Sequence, residues 1–252
     1  MGISAVIITR NEEANIARCL KGLSGLVQEV VVVDAESTDG TRRIAEAHGA
    51  RVVTRAWTNY SDQKNFANDL ASQAYILSVD ADEVPSPELA ASIRNAAASG
   101  LHGAYGMHRL TNYCGTWVRH GGWYPDTKTR LFPKGRARWT GDHVHEVLEL
   151  ADGTPQHLLV GDLLHYSYPT LAAHRARIER YSDLHAQALH KAGRRAGPIK
   201  RWLSPVAKFL QGYVLQAGFL DGTAGWHIAT LSARAVWLEY AKLHALPHDA
   251  HT

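Results

Sequence analysis

The chain has 252 residues, 45% hydrophobic and 20% charged, which is ordinary for a globular protein of one large domain or one medium domain with an appendage. That composition excludes a disordered tail, a collagen-like chain and a coiled coil, and two cysteines, Cys19 and Cys114, exclude a disulfide-stapled module or a zinc site made of cysteine alone. The formal charge of +3 hides an asymmetry: residues 1–171 carry 16 Lys+Arg against 19 Asp+Glu, and residues 172–252 carry 11 against 5. A basic region implies an anionic partner (a membrane surface, a nucleic acid or a phosphorylated substrate), and charge alone does not choose among them.

The N-terminal MGISAVIITRNEE lacks the basic start and long apolar run of a signal peptide, and Ile3–Thr9 is a β-branched run expected to form the first strand. Ile16, Leu20 and Leu23 then share one helical face, with Gly22 and Gly25 at its end. The run EVVVVD at 29–34 predicts a buried strand of the parallel kind. A turn at 37–40 leads into a helix over 41–48 stopped by Gly49, and strand 51–55 follows. Residues 65–73 read as a helix, 75–79 as a fourth strand, and 87–98 as a helix opened by Pro87. Strands alternating with helices predict an α/β layer on a mostly parallel sheet, with ligands at the carboxyl ends of the strands.

Between 101 and 168 Gly, Trp, Tyr and His are frequent, and short irregular strands are expected. From Leu171 onward the pattern is helical, interrupted at 193–198. Residues 203–220 are the most apolar stretch, yet they contain Pro205, Lys208, Gln211 and Gln216. A spanning helix wants roughly 20 predominantly apolar residues, so the stretch reads as an amphipathic or packed helix. The expected division is residues 1–168 as one α/β domain and 169–252 as a basic helical region.

The acidic residues fall where that architecture puts chemistry. Asp80 and Asp82 stand at i and i+2 at the mouth of a strand, and hard cations such as Mg²⁺ and Mn²⁺ prefer carboxylate oxygens together with substrate phosphates. A helix N-cap would use acids there too. Asp34 ends its strand with Asp39-Gly40 after it; it suits either a nucleoside contact or plain turn chemistry. The first strand is followed by Arg10-Asn11-Glu12-Glu13 with no glycine before Gly22. That position lacks the G-x-G-x-x-G of a dehydrogenase and the Gly-rich phosphate loop of a sugar-nucleotide pyrophosphorylase.

Three elements in order, Thr9-Arg10-Asn11-Glu12, Asp34-Ala35-Glu36-Ser37-Thr38-Asp39-Gly40-Thr41 and Asp80-Ala81-Asp82-Glu83, resemble glycosyltransferase family 2, whose catalytic domain has the GT-A fold. The resemblance implies a sugar-nucleotide donor held by Thr9, Asn11, Glu12, Asp34, Asp39, Lys64, Asp80 and Arg130. It also implies a divalent cation, Mn²⁺ or Mg²⁺, on Asp82 with His165 as a further ligand. Within WTGDHVHE, 139–146, it assigns Glu146 as the base, while His143 and His145 either pack or orient a neighbour. Without the resemblance, Arg130 reads equally as a surface ion pair and His165 as a buried histidine bonded to backbone.

The segments DTKTRLF (126–132), HYSY (165–168) and GFLDG (218–222) are similar to bacterial lipopolysaccharide inner-core β-1,4-glucosyltransferases. That similarity implies inverting transfer of a hexose, glucose from UDP-glucose, to a lipid-anchored lipopolysaccharide core. A peripheral position on the inner face of the cytoplasmic membrane follows as an expectation. Eight Lys+Arg between Arg175 and Arg201 oppose only Glu179 and Asp183, with Trp202, Phe209, Tyr213, Phe219 and Trp226 beside them. These suit an anionic interface; a helical cap with a solvated charged face is the other account. A nucleic-acid binder would explain the basic region but not the acids at the strand ends. A non-catalytic nucleotide-sugar-binding protein would not need Asp80, Asp82 and Glu146 together.

Overall fold

The computed structural model describes residues 1–141, 146–195 and 197–246. They form two compact units: residues 1–109 with 126–166, and residues 110–125 with 167 onward. Residues 110–125 therefore belong with the C-terminal helices.

The first unit begins with β1 (Ile3–Thr9), α1 (Ile16–Leu23), β2 (Glu29–Asp34), α2 (Thr41–Ala47) and β3 (Arg51–Thr54). It continues with α3 (Tyr60–Leu70), β4 (Tyr75–Ser78), β5 (Glu83–Pro85) and α4 (Pro87–Ala98). β1 and β2 are almost wholly buried runs of Ile, Val and Ala, as strands covered on both faces require. β1 pairs in parallel with β2 and β4, and β2 with β3. The chain thus reverses direction of sheet growth at β1, and a crevice opens at the carboxyl ends of β1 and β4. Thr9 lies opposite Asp34 in that register.

Helix α3 starts at Tyr60, five residues before the patterned stretch. Asn59 caps it, accepting the amide of Asp62 at 2.8 Å, and an Asn cap with an acid at the third position is a strong start signal. The helix stops at Leu70 rather than running to Gln73.

After β4 the sheet is no longer parallel. The order is β3-β2-β1-β4-β8-β6-β11-β5, where β6 is Ala104–Tyr113, β8 Asp126–Pro133 and β11 Gln156–Tyr168. β8 runs antiparallel to both β4 and β6, and β5 antiparallel to β11. The expectation of a mostly parallel sheet holds only for β1 to β4; from β6 to β11 no helix intervenes between successive strands to carry a parallel crossover. Nor are those strands short: β6 has 10 residues and β11 has 13. Gly161 hides the length of β11 from the sequence. Its φ of +96° breaks the regular pattern, and a Cβ there would stand 2.3 Å from the Leu89 nitrogen at the start of α4. A separate pair, β9 (Ala137–Thr140) with β10 (Val147–Leu150), is antiparallel.

The second unit contains β7 (Thr116–Val118), paired with the Thr111–Tyr113 end of β6. Its helices are α5 (Leu171–Lys191), α6 (Pro198–Leu210) and α7 (Gly222–Ala245). A π turn over Gln211–Leu215 and a 3₁₀ turn over Gly218–Asp221 join α6 to α7. The stretch read as one apolar helix, 203–220, is thus the end of α6 followed by two irregular turns. Its small core gathers Tyr113, Val118, Ala224 and Ile228 with Trp123, Tyr168 and Leu171.

Candidate active site

The loop after β1 and the turn after β2 are tied together. Asn11, at φ +55°, accepts the Thr38 amide at 2.8 Å through Oδ1 and donates its own amide to Ser37 Oγ at 2.8 Å. The Glu12 amide donates to Thr41 Oγ1 at 2.8 Å, and the Glu13 amide to Asp39 Oδ2 at 3.2 Å. Burial works against the Asp39 carboxylate, but the hydroxyl and amide of Thr41 together with the Glu13 amide hold its pKa below the usual range. Asp34 is completely buried; Oδ1 accepts the Ser37 amide at 2.8 Å and Oδ2 the Ser37 hydroxyl at 2.5 Å. Of its two readings, the structure shows the turn chemistry. Thr9 Oγ1 is buried and has no hydrogen-bond partner among the described residues.

At the end of β4 the acids separate by role. Asp80 Oδ2 accepts Arg130 Nη2 at 2.7 Å, and Lys64 Nζ lies 3.4 Å from Oδ1. Desolvation would raise the pKa of Asp80, yet Arg130 and Lys64 overcome it and hold the group charged well below the ordinary range. Glu83, fully buried, accepts the same Arg130 Nη2 at 2.7 Å, accepts Arg109 Nη1 at 3.5 Å, and takes the Asp80 amide at 3.0 Å. Arg130 is therefore neither a surface ion pair nor an open phosphate grip. It is buried between two carboxylates, which a guanidinium satisfies better than any other cation.

Asp82, in the turn before β5, and His165, on β11, come together. His165 Nε2 lies 3.3 Å from Asp82 Oδ2, and both side chains retain some exposure. The Tyr166 amide donates to the Asp82 carbonyl at 2.9 Å, which locks β11 beside the acidic turn. No group of three metal-ligating side chains occurs among the described residues. A carboxylate oxygen and an imidazole nitrogen nevertheless fit a divalent cation that takes its remaining ligands from a diphosphate and water, as Mg²⁺ and Mn²⁺ do at nucleotide sites. Glu12 lies in the same acidic field. Burial raises its pKa, the Asn15 bond opposes that, and Asp82, Asp39 and Asp80 add to it.

Lys64, on α3, links the two halves of the site. Its buried ammonium donates to Glu146 Oε1 at 3.1 Å while facing Asp80, and it sits 4.4 Å from the centre of the Trp139 ring. Asn65 fastens α3 to β9: its Nδ2 donates to the Trp139 carbonyl at 2.8 Å and its Oδ1 accepts the Trp139 amide at 2.9 Å. Asp142, His143 and His145 lie outside the described residues. Glu83, Arg109 and Trp139 were not singled out as site residues from sequence. Glu83 was visible as the last letter of D-A-D-E, but nothing in a linear pattern says that its carboxylate turns inward.

The carboxylate of Glu146, held by Lys64, thus stands beside the acidic cluster that follows β4. The glycosyl transferase family 2 model matches residues 4–147. The chain belongs to that family, and its α/β unit has the GT-A organisation. It is 32% identical over 255 residues to an uncharacterized glycosyltransferase of Rickettsia felis, covering 96% of this chain and 89% of that one. It is 28% identical over 265 residues to the lipopolysaccharide core biosynthesis glycosyltransferase LpsC of Rhizobium meliloti, covering 98% and 95%. Among solved structures it resembles glucosyl-3-phosphoglycerate synthase of Mycobacterium tuberculosis in complex with Mn²⁺, UDP and glucosyl-3-phosphoglycerate. That match has 26% identity and a TM-score of 0.36, covering 45% of this chain and 44% of that chain.

Proposed function

We propose that this glycosyltransferase moves a hexose, glucose from UDP-glucose, onto a lipid-anchored lipopolysaccharide core, with inversion, at the inner face of the cytoplasmic membrane. The observation that carries the chemistry is the position of Lys64 between Glu146 and Asp80, 3.1 and 3.4 Å away. It supports reading Glu146 as the base beside the donor-side acids. The name of the LpsC relative supports the acceptor.

In this scheme Thr9, with its unpaired buried hydroxyl, and the Asn11–Glu12 and Asp39 loops hold the nucleoside. Asp34 shapes that pocket through Ser37, and Arg130 serves the donor by fixing Asp80. Asp82 and His165 would hold Mn²⁺ or Mg²⁺, which when bound neutralises charge building on the diphosphate. Glu146 takes the proton of the acceptor hydroxyl. As that oxygen bonds the anomeric carbon, the bond from carbon to diphosphate breaks and its electron pair leaves with the nucleoside diphosphate. Lys64 keeps Glu146 oriented throughout.

The test is a thermal-shift and transfer panel of UDP, GDP, CMP and dTDP sugars, with and without Mn²⁺, on wild type, Asp82→Ala and His165→Ala. Stabilisation by UDP that requires Mn²⁺ should appear in wild type and vanish in Asp82→Ala, together with transfer. Metal-independent binding, or full transfer by Asp82→Ala, would defeat the assignment.

A further inference from the structure

A helix on a globular core normally turns its apolar stripe inward. Helix α6 does the reverse. Ile199, Trp202, Leu203, Val206 and Leu210 recur at helical spacing on one stripe, and all stand exposed, Ile199 by 73% and Trp202 by 63%. The helix packs on α7 by another side, where Arg201 meets the Trp237 ring and Phe209 meets Trp226. The apolar surface continues past α6 through Val214, Leu215 (80% exposed), Phe219 and Leu220. Ring contacts of Tyr213 with Phe209, Phe219 and Trp226 make it continuous.

The charges carried by this stretch of chain have one sign. Between residues 184 and 220 there is no Asp or Glu, while Arg194, Arg195, Lys200 and Lys208 are all exposed cations. The first acid, Asp221, is buried and committed: it accepts the amides of Arg119 and His120 and the His120 Nδ1 at 2.8–3.2 Å. By contrast, the basic stretch of α5 is partly structural. Arg177 donates to Ser167 Oγ at 2.8 Å and stacks on Tyr168.

We infer that the face formed by α6 and the two turns after it seats in the headgroup region of an anionic bilayer. Exposed Trp beside Lys suits that depth. A second copy docked through the same face would set Lys200, at the flank of the stripe, against its own like charge, whereas anionic lipid meets it with opposite charge. No helix among the described residues is long and apolar enough to cross a membrane, so α6 lies in the interface rather than spanning it. The face is assigned on the membrane partner proposed above. Its test uses neither donor nor acceptor, so it fails separately from the transferase chemistry.

The full chain is sedimented with vesicles of phosphatidylcholine alone and of phosphatidylcholine mixed with phosphatidylglycerol, and its mass is measured without vesicles. Binding should favour the anionic vesicles and weaken as salt shortens the Debye length from about 10 Å at 0.1 M to about 3 Å at 1 M. Lys200→Gln should lower anionic binding roughly fivefold. Leu203→Glu/Val206→Glu should abolish binding while circular dichroism stays unchanged, since both side chains are exposed. Failure of wild type to bind anionic vesicles, or binding indifferent to both variants, overturns the inference. A dimer that Leu203→Glu/Val206→Glu converts to monomer, without vesicle binding, would make the face a contact between copies instead.

Discussion

Lys64 places an ammonium between the carboxylates of Glu146 and Asp80, and a single substitution tests the separate tasks proposed for them. Glu146→Gln keeps the size and the bond to Lys64 but cannot take a proton. Transfer should fall by roughly 10² to 10⁴, while stabilisation by UDP and Mn²⁺ stays near wild type. Glu149→Gln is the control, because that exposed carboxylate only accepts the Thr140 hydroxyl at 2.8 Å. Single-turnover kinetics with saturating donor would read both. If Glu146→Gln keeps more than about a tenth of wild-type turnover with chemistry rate-limiting, the base lies elsewhere, and Asp142 is next to test. Asp80, Asp82 and Glu146 stand in motifs that the sequence displays directly, and the structure sets Asp80 and Glu146 on either side of Lys64. The inward turn of Glu83 and the burial of Arg130 are not written there, because neither alternation nor spacing records where a buried cation finds its partners.

Helix α3 matters because it delivers Lys64, and two bonds from Asn65 to the Trp139 backbone fix its distance from β9. Asn65→Ala removes both and leaves a backbone amide and carbonyl of Trp139 without that partner. Each buried polar group left unpaired costs about 1–3 kcal/mol. The urea midpoint should fall accordingly, and kcat should fall with it while the far-UV spectrum is kept. A midpoint shift with kcat unchanged would show that the α3–β9 clasp serves stability alone. At the other edge of the sheet, Gly161→Ala asks an L side chain to adopt φ +96° and to meet the Leu89 nitrogen at 2.3 Å. The strained φ alone costs on the order of 1–3 kcal/mol, so equilibrium unfolding should show a loss of at least that size. An unchanged midpoint would mean that α4 yields to β11.

At the scale of the molecule, the helical unit carries a built-in sensitivity to acid. His174 is buried among Tyr113, Trp123 and Tyr168, and the Tyr113 hydroxyl lies 2.8 Å from its Nδ1. Burial, with Arg177 nearby, pushes its pKa down to about 4 from an ordinary 6.5. The folded protein therefore holds the ring neutral where the unfolded chain would protonate it. Its contribution is fully present above pH 6.5 and is lost as pH falls from 6.5 through about 4. Tm should decline across that window, and His174→Phe should flatten the decline from a lower Tm at pH 8, because it leaves the buried Tyr113 hydroxyl without its partner. An identical slope in the variant would assign the acid sensitivity to other groups.

The alternation of β-branched runs with amphipathic stretches gives β1 to β4 and the helices between them, because both periods are local properties of the chain; the start of α3 and the short β5 are not visible in it. The acids at the ends of β2 and β4 followed, since strand ends are where an α/β sheet presents them. Three things waited for the tertiary structure. The antiparallel half of the sheet depends on pairings between distant segments, and Gly161 interrupts the pattern of its longest strand. Asp82 and His165 are neighbours only because β11 returns beside β5. The exposed stripe of α6 reads from sequence like any core-facing helix: periodicity shows that a helix has an apolar side, and only packing decides which side meets water.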